Sequence, residues 1–573
     1  MDACEYALEK VRELVARSKH SATNVTEYMG PSLRLFSEIT GQRTRFSGFN
    51  WDTRVRNRSA KYTVMMGSEK VTISNTLPEQ QATLAEMDVT LARLFGGTVD
   101  GKKYRGHANV LPIDYVHRVM GSGKDPDFTF NCNFLVTTKN PVYHHIGYMW
   151  GKMLREVDPV KDAPNLYLFL VPDVNTGTFG KFYCYPEVGV TIGIGCDYMG
   201  EVKKGFLRMA MYLAKQKKIL GIHAASKVIK AEDVRDGRIK TYAVIIFGLS
   251  GTGKTTNIGH THYLDKEGEA SLVAQDDFVG LKMSDGSILG TEQAFFLKTD
   301  LDDEDLLLKP ATRSPEFVSQ NLYVDFKGNI DYLEEDICSN GRGVLPLTAL
   351  PKSKLYESID IPPVPELNGL HILFVTRRDT IVPIMQEILS PEQAAGYFML
   401  GESIETSAGD PGSVGKSVRV VGTNPFIVGD EGEEGNMFYE FVKKYEDKIR
   451  CFLVNTGGVG EIRDSTNKVI KQPVRPWKSG IGYITRAIFR NTARWEDCPD
   501  YGTKVLIGGV TDERGDHYDM DRFDHRLVYD DYDVANKMIV ELNRERIQYL
   551  EGFKSLDSCL LYTSPSPRDR QKY

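Results

Sequence analysis

A chain of 573 residues, 41% hydrophobic and 26% charged, has the makeup of a globular protein, and its length exceeds one ordinary core, so two or three domains are expected. Its formal net charge of −7 argues against a nucleic-acid or membrane-surface binder while leaving room for a local basic cleft. Eight cysteines, none in a C-x-x-C pair, exclude a tetrathiolate zinc site and a secreted disulfide framework and fit a reducing cytoplasm. No run approaches the ~20 apolar residues of a membrane span.

Leu8, Val11, Leu14 and Val15 recur at helical spacing, which predicts an amphipathic N-terminal helix without a signal core. Arg54, Arg56 and Arg58 fall at alternate positions before an extended stretch. On a strand they would share one side as an anion clamp, although such a run is more often a solvated face. Gly121–Lys124 lacks phosphate-loop spacing and reads as a turn before Asp125-Pro126. Apolar runs at 165–172 and 188–194 read as strands. Then come Tyr198-Met-Gly-Glu-Val-Lys203-Lys204-Gly205, a helical stretch, and Gly221-Ile-His223-Ala-Ala. Taken alone, such a lysine pair is usually solvated, and such a histidine is usually a hydrogen-bonded core residue.

Tyr242–Phe247 is an unbroken apolar run, the pattern of a buried strand. It leads into Gly248-Leu249-Ser250-Gly251-Thr252-Gly253-Lys254-Thr255-Thr256, which fits G-x-x-x-x-G-K-[ST]. Glycines let successive N–H groups converge on phosphate oxygens, the lysine adds a point charge at the β/γ phosphates, and Thr255 can ligate magnesium. Ser271–Asp277 is an apolar run closing on Asp276 and Asp277, the position from which a neighbouring strand completes a magnesium site. Further on, Asp300–Leu308 reads as an exposed helix start, and Asn340–Gly343 as a glycine-rich loop presenting Arg342. Residues 371–375 and 451–454 read as buried strands. Gly412–Ser417 fails as a second phosphate loop because Asp410 occupies the required glycine position. Cys559–Asp569 (CLLYTSPSPRD) resembles a translated sequencing adapter, so the native reading is expected to end near Ser558.

FGLSGTGKTT and QDD, with YMGEVKKG and GIHAAS upstream and NGRGVLP, LVNTGG and ITRAI downstream, together resemble the ATP-dependent phosphoenolpyruvate carboxykinases, over roughly residues 50–490 and in the family's order. The GTP-dependent relatives carry a cysteine in the loop, so the nucleotide implied is ATP. The resemblance implies an α/β, two-domain, P-loop-containing carboxykinase-like fold of mixed sheets with the active site in an interdomain cleft. The substrate domain is expected over 1–225 and the mononucleotide domain over 226–558, with 559–573 as artefact or tail.

The same resemblance implies manganese held by Lys204, His223 and Asp277, with the metal's charge, assisted by Lys203, lowering the pKa of Lys204, and magnesium at Thr255 and Asp276. It gives Lys203, Lys204, Lys254 and Arg342 catalytic roles, and assigns substrate contacts to Tyr198, Arg342 and an N-terminal arginine. Matching Arg-Ser selects Arg58 for that arginine, and matching back from Lys-Tyr selects Arg56; Arg58 is preferred. Glu292 and Lys298 fall in the place of a nucleotide-contact segment whose glycines are Gln and Ala here, and Arg486 resembles an arginine near the adenine. The implied reaction takes oxaloacetate and ATP reversibly to phosphoenolpyruvate, ADP and carbon dioxide, as in gluconeogenesis. It would run in the cytoplasm, in a monomer or small homo-oligomer with no nucleic-acid or membrane partner. Another P-loop kinase, or an ATP-binding relative that has lost decarboxylation, are the alternatives. A lid is expected, with Thr406–Ser417 the suspected segment.

Overall fold

The computed structural model describes residues 2–562 apart from 21–22, 73–76, 178, 250, 302–304, 405–416, 465 and 467. Ser250, the Thr255 side chain, the suspected lid up to residue 416, nearly all of the rejected second loop, and tail residues 563–573 therefore lie outside the described residues. The architecture is mixed α/β, with several mixed sheets.

The N-terminal helix forms over Ala3–Arg17, capped by Asp2, with Val11 and Leu14 buried and Leu8 and Val15 at the margin. It packs on a seven-stranded mixed sheet built from residues between 25 and 194, in which the expected strands appear as Asn165–Val171 and Val190–Ile194. The opposite face of that sheet is covered by helix α1 (Met199–Gln216), most of whose residues are buried, Lys203, Lys204 and Arg208 among them.

An eight-stranded sheet follows, comprising β1 (Ala224–Asp233), β2 (Arg238–Gly248), β3 (Ala270–Gln275), β4 (Gly369–Thr376), β5 (Met385–Ile388), β6 (Ile449–Asn455), β7 (Arg494–Cys498) and β8 (Thr503–Gly508). Its spatial order is β3-β1-β2-β4-β6-β5-β8-β7. Parallel pairing of β2, β4 and β6 buries them on both faces, which is why they read as apolar runs. β1 and β2 form an antiparallel hairpin in register from Ala224↔Phe247 to Asp233↔Arg238, so His223 lies at the same end as the glycine-rich loop. Helix α2 (Lys254–Gly259) follows that loop, helix α3 (Lys478–Phe489) packs its apolar face near β1, and helix α4 (Tyr532–Leu550) runs beside the C-terminal part.

Three local expectations are corrected. Arg54, Arg56 and Arg58 do not lie on a strand, because the backbone N–H groups of Arg54 and Val55 donate to Asp197 (3.0 Å each) rather than to a ladder, and the three side chains diverge. Arg342 opens a strand, Arg342–Pro346, paired with Ala294–Lys298 and Val318–Gln320 instead of sitting in a free loop. In the acidic stretch, whose residues 302–304 are not described, the helix begins only at Leu308, with Leu308 buried. Ser558–Tyr562 is a short helix with Leu560 buried in the core.

Candidate active site

The C-terminal end of β2 opens into a cleft of about 810 Å³, lined by residues drawn from between 57 and 482. Gly248, Leu249, Gly251, Thr252, Gly253, Lys254 and Thr256 line it. Gly251 and Gly253 take φ values of 82° and 98°, a left-handed backbone that other residues adopt only with strain. Thr252 donates its hydroxyl to the Leu249 carbonyl at 2.8 Å and so braces the turn.

Four side chains converge on Asp277 at the mouth of β3. Lys203 approaches at 2.6 Å and His223 Nε2 at 2.8 Å, Lys204 is in direct contact, and Lys254 lies at 3.2 Å. Asp277 is itself a non-glycine residue at φ 80°, held there in part because its N–H donates to Asp276 at 2.9 Å. Strain of this kind persists only where the surroundings enforce it. Burial alone would raise the Asp277 carboxyl, but Lys203, Lys204 and Lys254 together hold it well below the usual range.

The two adjacent lysines on α1 differ in kind. Burial lowers Lys203, but Asp277 and Glu292 more than offset it, and its pKa is raised; it is a permanent ammonium, paired with Glu292 at 3.0 Å. Lys204 is pushed down to about 7, first by burial and then by Lys203 and Lys254, with Asp277 countering. Burial, rather than Lys203 alone, is what puts its free amine within reach at neutral pH. His223 is pushed down to about 3 by burial and by Lys254 and Lys204, so it is neutral. Its Nδ1 lies 2.7 Å from the Thr423 carbonyl, which assigns the proton to Nδ1 and turns the bare Nε2 toward the Asp277 carboxylate. His223 Nε2 and the Asp277 carboxylate, two acceptors 2.8 Å apart, are both reached by Lys254 Nζ, at 3.3 and 3.2 Å. With Lys204 beside them, the three side chains fit the donor set of a divalent cation. Of the magnesium pair, Asp276 is buried and lines the cleft.

The facing wall is cationic. Arg58 reaches into the cleft over the Phe426 ring (4.9 Å) in the Coulomb field of Arg342, and the Ser59 N–H behind it donates to buried Glu201. Arg342 lines the cleft with its Nε unbonded among the described residues, and Tyr198 lies beside both arginines. Arg56 instead turns toward the Ile337 carbonyl and Ser339 at 3.4 Å, so of the two aligned arginines Arg58 is the one in the cleft. Lys298 lines the cleft with its ammonium held by Asp300 (2.8 Å) and Glu335 (3.0 Å).

Two expected nucleotide contacts are located elsewhere. Glu292 is 1% exposed behind the cation site, lifted to about 7 by burial against the pull of Lys203, and is absent from the cleft wall. Arg486 donates to the Thr511 and Asp512 carbonyls (2.7 Å each) and packs against Tyr263 and Tyr483, again off the cleft wall.

Phe426 was not singled out in the sequence, though Lys204, Arg58 and Arg208 all lie over its ring and His223 meets it edge-on. Its only local signal is the turn-forming Asn424-Pro425 before it. Lys227 was missed as well. Fully buried on β1, its Nζ donates to the Asn257, Ile258 and His260 carbonyls (3.1, 3.1 and 2.8 Å) at the end of α2, and meets His262 Nε2 at 2.9 Å.

A family model described as phosphoenolpyruvate carboxykinase matches residues 175–506. The chain is 36% identical over 271 residues to the phosphoenolpyruvate carboxykinase (ATP) of Aeropyrum pernix, covering 47% of this chain and 52% of that protein. It is 27% identical over 307 residues to the glycosomal phosphoenolpyruvate carboxykinase (ATP) of Trypanosoma cruzi (52% and 56%), and 25% identical over 336 residues to the phosphoenolpyruvate carboxykinase (ATP) of Sinorhizobium fredii (57% and 56%). The chain thus spans about half the length of the curated relatives it matches. Among the described residues no helix is long and apolar enough to cross a membrane.

Proposed function

The chain belongs to the phosphoenolpyruvate carboxykinase family, and from that premise we propose that it converts oxaloacetate and ATP, reversibly, to phosphoenolpyruvate, ADP and carbon dioxide. The observation that carries the reading is the convergence of Lys204, His223 and the Asp277 carboxylate beside Lys254 of the glycine-rich loop.

The fold is read as two domains, 1–225 and 226–558, with the reaction in the cleft between them. Arg58 and Arg342 grip the carboxylates of oxaloacetate and hold the departing one out of the plane of the enolate it leaves. Tyr198 closes the same end of the site. The backbone N–H groups of residues 248–253 cradle the triphosphate, and Lys254 swings its ammonium onto the γ-phosphate as the enolate oxygen attacks it. Lys254 and Arg342 spread the charge of the transferring phosphoryl group. No side-chain nucleophile is needed. Manganese held by Lys204, His223 and Asp277 would supply Lewis-acid stabilisation of developing negative charge. Lys203 remains an ammonium and keeps Asp277 ionised and aimed. Thr255 and Asp276 would hold the magnesium that accompanies ATP, which would offset charge on the phosphates.

The test is an assay of oxaloacetate- and ATP-dependent carbon dioxide release with manganese and magnesium supplied separately. Turnover should need both substrates and rise with manganese. ATP binding without oxaloacetate turnover would overturn the assignment. His223→Ala should abolish the manganese response while leaving ATP affinity nearly unchanged.

A further inference from the structure

Far from the cleft, where the edge strand β7 ends, Cys498, Asp500 and His525 bring a thiol, a carboxylate and an imidazole within 4.8 Å of one another. All three are buried, at 1%, 4% and 0% exposure. The same trio in an open site could serve nucleophilic catalysis, but at this burial no substrate reaches the sulfur. Burial and the Asp500 carboxylate keep Cys498 a thiol, pushed up to about 11, and one detail points to a ligand instead. His525 bonds through Nε2 to Asp500 at 3.1 Å, while its Nδ1 has no hydrogen bond among the described residues and lies 3.8 Å from the Asp524 carboxylate. A fully buried ring nitrogen left this way needs an explanation.

We propose that Cys498, Asp500 and His525 form a second, structural metal site for a borderline-soft divalent cation of the zinc class. Sulfur, nitrogen and oxygen donors together select such an ion over magnesium or calcium. Bonds of about 2.0–2.3 Å to a tetrahedral ion set its donors about 3.3–3.8 Å apart, so the trio needs only a small contraction. Binding displaces the thiol proton to solvent, and the fourth position is open to water or to Asp524. The ion would join three segments, namely the end of β7, the turn 499–502, whose Asp500 carbonyl accepts from Asn543 of α4 at 3.0 Å, and the loop carrying His525. It would thereby fasten the C-terminal region to the sheet edge. This site is independent of the cleft, whose donor set contains no sulfur.

That difference supplies the test. Full-length protein stripped of metal under native conditions is titrated with cobalt(II), and the sulfur-to-cobalt charge-transfer absorption is followed, since only a thiolate site produces it. In His223→Ala, where the cleft site is disabled, saturation at one equivalent is expected; the wild-type protein shows the same band, and it is lost in Cys498→Ser and His525→Gln. Zinc content by mass spectrometry in the His223→Ala background should be one per chain, falling to none when Cys498→Ser is added. No charge-transfer band in the wild-type protein, or a band that survives Cys498→Ser, overturns the site. Should Cys498→Ser fail to fold by circular dichroism, His525→Gln and the wild-type titration decide the matter by themselves.

Discussion

Lys203 and Lys204 are neighbours on one helix and both touch Asp277, yet Lys203 has Glu292 as a second carboxylate while for Lys204 burial, with Lys203 and Lys254, outweighs the one it has. The pair therefore divides into a fixed cation and a potential ligand. Lys204→Arg keeps a positive charge but cannot lose a proton, so it cannot coordinate. Manganese-dependent turnover should fall at least 10²-fold with ATP affinity retained, measured by steady-state kinetics and nucleotide titration. Removing Asp277 leaves three buried amines without their shared anion. Asp277→Ala is expected to lower unfolding stability by about 3–5 kcal/mol in urea titrations, because an uncompensated buried charge is the costly case. The sequence motifs located these residues, since each sits in a short local pattern. The resemblance singled out Lys204 as the ligand, but the sequence could not show what separates the two lysines, nor the positive φ of Asp277, because both depend on groups far away in the chain. Glu292 and Arg486 were misplaced for the same reason: alignment gave them an address, while Lys203 and the carbonyls of residues 511–512 decided where they bond.

At the level of elements, the phosphate-loop helix α2 is only six residues long and has no length of its own to hold it. Lys227 closes its end by bonding three carbonyls, and through His262, whose Nδ1 lies 2.6 Å from Thr485 on α3, it ties α2 to the cleft wall. Lys227→Met should cost about 3 kcal/mol or more of stability by leaving those carbonyls unpaired. It should also raise KM for ATP more than it lowers kcat, because the loop rather than the chemistry shifts. Glu402 plays a comparable part on the strand Glu402–Ile404, where buried Arg546 and Arg378 hold it near 2 against the effect of burial. A depressed carboxylate stabilises fully above its unfolded value near 4.5 and loses that contribution as pH falls toward 2. A drop of about 3 kcal/mol across this window is expected in acid unfolding, and Glu402→Gln should flatten it. Strands were legible wherever burial on both faces made an apolar run, as in β2, β4 and β6. The segment carrying Arg54, Arg56 and Arg58 was not, because Asp197 sets its course.

On the scale of the whole molecule, the proposed boundary after residue 225 falls within β1, and Phe49–Trp51 from the N-terminal part pairs with Val318–Gln320. Expressed alone, residues 226–558 should therefore melt well below the full chain and bind manganese weakly, having lost Lys203, Lys204 and His223, yet still bind ATP. Calorimetry and metal titration of the fragment check both points. For the intact protein, ATP at a hundred times its Kd should add about 2.7 kcal/mol of stability.

The hairpin of β1 and β2 behaves as a spacer bar. His223 projects just past one arm and Gly248 ends the other, so the separation of the proposed cation site from the glycine-rich loop is written into a hydrogen-bonded ladder. Changes of length at its tip, residues 234–237, fall at the far end and leave that separation intact. A slip of a single rung within the ladder would face every side chain the wrong way and disarm both stations together.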